Sequence, residues 1–176
     1  METCEKTSEA AMTILPILRY PDPQLSHPCA PVVSFDASLR QLADDLLETM
    51  RAAPGVGITA AHVSILTRLV VLEFPEWQAP RFYVNPELLW HCEKTMRHTE
   101  GSVSMPGALE EVERPSSIRF RYQDLDGTRH EEEASEFHAI CIQHEIDQLD
   151  GIFWLKRLSR LKRDRLVRKW QKQGSG

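Results

Sequence analysis

The chain has 176 residues, of which 41% are hydrophobic and 27% charged, with a formal net charge of −5 at neutral pH. That length supports one domain with a sizeable core and is too short for two comfortable ones. The composition is that of an ordinary soluble globular protein, and no apolar run is long enough to predict a membrane span.

Cys4, Cys29, Cys92 and Cys141 form no C-x-x-C pair, which argues against a zinc ribbon or a redox dithiol. Reduced thiols in a cytoplasmic protein are therefore expected. Residues 1–11 carry Glu2, Glu5 and Glu9, and lack the basic start and apolar middle of a secretory signal. They are expected to form a disordered extension, with Met12 an alternative start and 12–176 a single domain. Charge is split along the chain. From Leu155 onward nine Lys or Arg face one acid, Asp164, a local balance of +8 that leaves −13 for the remainder. A basic tail on an acidic body is a candidate for docking on an anionic partner; a solvated helix is the plainer reading.

Pro16, Pro21, Pro23, Pro28 and Pro31 predict an extended start. Asp36 offers an N-cap, and Leu39, Leu42, Ala43, Leu46, Leu47 and Met50 recur at helical spacing up to the Pro54-Gly55 stop. Arg68 to Phe74 reads as a strand. So does Arg81 to Val84, halted by Asn85-Pro86. Ile118, Phe120 and Tyr122 alternate with polar residues, Asp126-Gly127 turns the chain, and Thr128 to Glu133 returns as a hairpin strand. Glu131 to Glu133 reads as a solvated edge.

Ser135 is placed to cap a helix running to about Asp150. On it Phe137, Cys141, His144 and Gln148 form one stripe, and Ala139, Ile142, Ile146 and Leu149 another. Two largely apolar faces predict a central, buried helix, whose polar groups need partners. A final helix, about 159–173, gathers Leu166, Val167 and Trp170 on one side and leaves Leu161 off it.

The central helix reads Gln143-His144-Glu145-Ile146-Asp147-Gln148. An H-E-x-x-H helix holds one metal between two imidazoles a turn apart and uses the Glu as general base. Here the second His is Gln148. Two further segments, Gly55-Val56-Gly57-Ile58-Thr59-Ala60-Ala61-His62 and Glu100-Gly101-Ser102-Val103-Ser104, precede it. Together the three resemble the peptide deformylase motifs G-x-G-x-A-A-x-Q, E-G-C-L-S and Q-H-E-x-D-H. The resemblance extends from Ile14-Leu15-Pro16-Ile17-Leu18 to Leu158-Ser159 and covers nearly the whole chain.

The resemblance implies an α+β fold, with antiparallel or mixed sheets around the H-E-bearing helix and a further C-terminal helix. It implies a metal-dependent amidase that removes formyl from the N-terminal formyl-methionine of nascent chains. Carried over by position, His144 matches a metal ligand and Glu145 the general acid and base. Val103 supplies a polarising N–H, and Val56, Gly57 and Gly101 border the substrate peptide. His62 stands for the carbonyl-binding Gln, and a neutral imidazole N–H serves as donor in the same way. Basic C-terminal helices in the family bind the ribosome.

The departures concentrate on the metal. Ser102 replaces a Cys ligand and Gln148 a His ligand; Thr59 and Glu136 stand where Ala and Gly are usual. A hydroxyl and an amide oxygen are weak ligands for ions of the iron, zinc and nickel class. Bringing a bound water from about 15.7 to about 7 needs a firmly held ion. The expected protein binds no divalent metal, or binds one weakly, and keeps a groove for N-terminal peptides with impaired chemistry. Two alternatives are a working deformylase rebuilt on His62 and His144, and a metal-free hydrolase with Ser102 as nucleophile. Gln148 is expected to bond His144 or Ser102, and Glu145 to be a buried carboxyl of raised pKa. His138 and Cys141 offer a second metal pair, with core packing the simpler reading. His91, Cys92 and His98 are read as having no role.

Overall fold

The computed structural model describes residues 12–174. The extension expected over residues 1–11 lies outside them. Three helices, α1 (Ala37–Ala52), α2 (Glu136–Leu149) and α3 (Arg160–Gln173), accompany seven strands. The strands are β1 (Gly57–Thr59), β2 (Leu69–Leu72), β3 (Arg81–His91), β4 (Thr95–Glu100), β5 (Glu110–Pro115), β6 (Ser117–Gln123) and β7 (Arg129–Ser135). A five-stranded antiparallel sheet runs β1-β2-β3-β6-β7, and β4 and β5 form a separate pair.

The layering follows from the side-chain period of a strand. Successive residues point to opposite faces. In β2, Val70 and Leu72 pack with the α2 residues Ile142, Ile146 and Leu149, whereas Leu69 and Val71 pack with Leu46 and Met50 of α1. A strand covered on both faces reads as an unbroken apolar run, which is what Leu69-Val70-Val71-Leu72 is. Ten of the fourteen α2 residues are buried, so the helix is central, as its two apolar faces predict. A third cluster joins Leu25, Met105 and Val112 to Trp154, Leu155 and Leu166. It seats α3 by one side and leaves Leu161 78% exposed.

Caps lie where the sequence puts them. The Asp36 carboxylate accepts from the Leu39 N–H, and the Ser159 hydroxyl from the Lys162 N–H. Ser135 occupies the N-cap position of α2 without a side-chain cap bond. The Asp126-Gly127 turn forms, with Gly127 at φ 84°.

One boundary differs from expectation. β3 does not stop at Asn85-Pro86 but runs on to His91. A register shift between Val84 and Glu87 absorbs the interruption. Asn85 takes a left-handed φ of 51°, and its side-chain amide donates to the Val32 carbonyl and the Gln123 side chain. β4 and β5 had no clear period in the sequence. They carry Glu100 to the site.

Candidate active site

Three segments meet over α2. β1 crosses it closely: a Cβ on Gly57 would lie 2.5 Å from Glu145 Oε1 and 2.6 Å from Leu72 Cδ2, so only glycine lets the strand and the carboxylate sit this close. The 3-10 turn Ala60–Val63 carries His62, and the segment after β4 carries Gly101, Ser102 and Val103. They border a cavity of ≈ 520 Å³. Val56, Gly57, His62, Gly101, Ser102, Val103, His144 and Glu145 all line it, and Gln148 does not. Arg19 at the rim donates to the Val103 carbonyl at 3.1 Å.

His144 is oriented from behind. Its Nδ1 lies 2.8 Å from Glu100 Oε2, so the N–H at Nδ1 donates to the carboxylate, and in the neutral ring the lone pair then lies on Nε2. Glu100 in turn accepts two bonds from Arg114, at 2.5 and 2.9 Å, and Arg114 reaches Asp147 at 2.8 Å. Arg157 closes the network on the other side of Asp147. Burial pushes the Glu100 carboxyl up, but the bonds from His144 and Arg114 outweigh it and hold it down at about 2. Burial alone would lower the pKa of His144; Glu100 and the nearby Glu145 carboxylate raise it instead. The sequence named Glu100 and Asp147 only as motif letters, and Arg114 not at all. The alternation Glu111-Val112-Glu113-Arg114 gave no sign that this arginine points inward.

Glu145 is fully enclosed. Burial raises its carboxyl to about 7, against the pull of His144, and Oε2 has no hydrogen-bond partner among the described residues. The expected raised pKa is found. His62 is also buried, and burial, with the charge of His144 as a second cause, lowers it to about 3. Its Nδ1 accepts from the Thr59 N–H at 3.0 Å and lies 2.9 Å from the Thr59 hydroxyl.

One sequence reading needs correction. Gln148 does not join a network with His144 or Ser102. Its amide nitrogen donates to the Leu25 carbonyl at 2.8 Å, turned away from the cavity toward the N-terminal segment. His98, a residue of β4, also lines the cavity, its ring 5.0 Å from Phe137, with a buried Nδ1 that has no partner among the described residues. His138 and Cys141 part company. His138 lies 3.2 Å from the Tyr83 hydroxyl, and Cys141 faces the cavity with burial raising its thiol pKa. Ser102 accepts from the Ser104 N–H at 3.2 Å. Among the described residues no group of three or more His, Cys, Asp or Glu is placed to hold a metal ion.

A buried helix presenting His and Glu to a cleft edged by glycine-bearing segments defines a structural class, proteins built around a helix that carries part of the H-E-x-x-H pattern. Sequence comparison makes the class specific. The profile of the polypeptide deformylase family matches residues 14–164, and the chain belongs to that family. A relative from Agrobacterium fabrum, named peptide deformylase-like, is 63% identical over 92% of this chain and 98% of its own. A peptide deformylase from Phenylobacterium zucineum is 42% identical over 92% and 97%. The crystal structure of a peptide deformylase from Legionella pneumophila superposes with a TM-score of 0.87 at 34% identity, covering 93% of this chain and 96% of that one. That of the Ehrlichia chaffeensis enzyme in complex with actinonin gives 0.86 at 35%, covering 92% and 98%. The α+β fold expected from the motifs is the fold of these structures.

Proposed function

We propose that this protein is a peptide-binding member of the deformylase family that keeps the groove and its carbonyl-binding donors and has lost the metal chemistry. The observation that carries this reading is Gln148. It occupies the family's second His position, is 2% exposed, and spends its amide on Leu25 instead of the cavity. With Ser102 at the Cys position, His144 remains as the one strong ligand of the three. A single imidazole beside a hydroxyl does not fit an iron- or zinc-class ion, so no step is assigned to a metal.

What remains suits recognition. The ligand is an N-terminal peptide of the formyl-methionyl kind, laid along Val56, Gly57 and Gly101. The His62 Nε2–H and the Val103 N–H are the donors for its terminal carbonyl. Glu145, held near neutrality in its pKa, offers a proton or a lone pair to the same group.

Two other assignments fit less well. For His62 to bind a metal beside His144 it needs an Nε2 lone pair, and a neutral ring whose Nδ1 accepts from Thr59 carries its proton at Nε2. For Ser102 to act as nucleophile it needs a base within hydrogen-bond reach. Among the described residues no hydrogen bond joins it to His62 or His144. The basic helix α3 is the element for docking on an anionic surface such as the ribosome. Lys162 and Arg165 lean on Glu110, and Arg168, Lys169 and Lys172 are exposed.

The test is metal content and hydrolysis of a formyl-methionyl peptide by the purified protein, alongside peptide affinity by calorimetry. Expected are substoichiometric metal, no turnover above background, and measurable affinity. Robust turnover would overturn the reading. The double variant Ser102→Cys/Gln148→His is expected to take up metal and gain hydrolysis over the parent.

A further inference from the structure

Thr59 and His62 are three residues apart at the start of a single 3-10 turn, and both are buried. The backbone N–H of Thr59 has one partner, the Nδ1 of His62, at 3.0 Å. An N–H cannot share a hydrogen with another N–H, so Nδ1 is unprotonated in this arrangement. The Thr59 hydroxyl is 2.9 Å from the same nitrogen, and with Nδ1 acting as acceptor the hydroxyl donates too. Burial keeps the ring neutral, with a pKa lowered to about 3. The one ring proton therefore sits on Nε2. That nitrogen, in a residue that lines the cavity, is buried and has no partner among the described residues. A buried, unsatisfied N–H is costly, and such groups persist where a ligand supplies the acceptor.

We infer that Thr59 is the positioning residue for His62: its N–H and hydroxyl fix the ring as the Nε2–H tautomer and aim that donor at the carbonyl oxygen of a bound acyl or amide group. The inference deepens the peptide-binding reading and rests on it only for the identity of the ligand. It links two departures from the family motif, Thr for Ala and His for Gln, into one device. A glutamine amide carries its own donor and needs no such help. A histidine delivers a donor at a chosen nitrogen only when something fixes its tautomer. The hydroxyl is what the usual alanine lacks.

The experiment uses the full chain labelled with ¹⁵N-histidine. Long-range ¹H–¹⁵N spectra assign the tautomer of His62, and calorimetry with a formyl-Met-Ala-Ser peptide gives the affinity. Expected for the native chain is an unprotonated, hydrogen-bonded Nδ1 and a protonated Nε2. In Thr59→Ala the backbone N–H still holds Nδ1 and the hydroxyl's share is lost, so the Nδ1 resonance moves part of the way toward that of a free acceptor and affinity falls by up to about threefold, less than one net hydrogen bond. Thr59→Ser restores both. In a His62→Gln background, Thr59→Ala leaves affinity unchanged, which a purely structural role for Thr59 would not produce. A protonated Nδ1 in the native chain, or an equal loss of affinity in the Gln background, overturns the inference. If no variant binds the peptide, the peptide-binding reading fails, while the spectra still decide the role of Thr59.

Discussion

At the residue scale, the positions that depart from the family motif are chemically unequal, and the structure separates them. Glu136, where glycine is usual, holds a left-handed φ of 52° at the start of α2. A side chain in that region costs roughly 1–2 kcal/mol that glycine avoids. Glu136→Gly is therefore expected to stabilise the protein by about 1 kcal/mol, read as a higher urea midpoint at unchanged slope. Gly57 behaves oppositely. A methyl there collides with Glu145 and Leu72, and Gly57→Ala is expected to cost about 1–3 kcal/mol by overpacking. It should also displace the Glu145 carboxylate, which a carboxyl-labelled NMR titration detects as a pKa moved away from about 7. Neither effect was legible as a magnitude in the sequence. The pattern G-x-G marks a turn, and only the crossing of β1 over α2 turns one of its glycines into a steric requirement.

At the scale of elements, α2 is held by two different kinds of contact. Its apolar faces were plain from spacing. The polar contacts were not, because their partners lie far along the chain: Gln148 bonds a carbonyl 123 residues away, and Asp147 an arginine 33 residues away. Gln148→Ala leaves the buried Leu25 carbonyl short of a donor and is expected to cost about 1–3 kcal/mol. Arg114 is the stronger case. It is buried between Glu100 and Asp147, and removing it leaves Glu100 only His144 and Asp147 only Arg157 as charged partners. Arg114→Met is expected to destabilise by about 3–5 kcal/mol in denaturant unfolding. The same non-local logic explains β3. Asn85-Pro86 is a sound local stop signal. It was overridden by a register shift and by an Asn85 side chain bonded to Val32 and Gln123, none of which neighbours it in sequence.

For the whole molecule, the buried network sets the acid limit of stability. The Glu100 carboxyl is lowered from 4.5 to about 2 in the fold, so its contribution is fully present above its unfolded value and is lost as pH falls through 2. The size is on the order of 3 kcal/mol. The Glu100 share of the urea midpoint, read as the difference from Glu100→Gln, is expected to hold down to about pH 5 and to drop between there and pH 2. The Arg114→Met variant should show a shallower drop, since of the bonds that depress Glu100 only the one from His144 remains. A difference independent of pH across that window would contradict the account. The buried network behind His144 is thus in place, and of the positions that depart from the family motif His62 and Ser102 line the cavity whereas Gln148 does not.

The bond between Gln148 and Leu25 has a historical consequence. A lost metal ligand is usually pictured as a blank that one codon change refills. Here the replacement has taken a structural post, tying the central helix to the N-terminal segment. On the proposed reading, Gln148→His alone frees that carbonyl and meets no thiolate at Ser102, so it is expected to weaken the fold and add no chemistry, and the replacement acts as a ratchet.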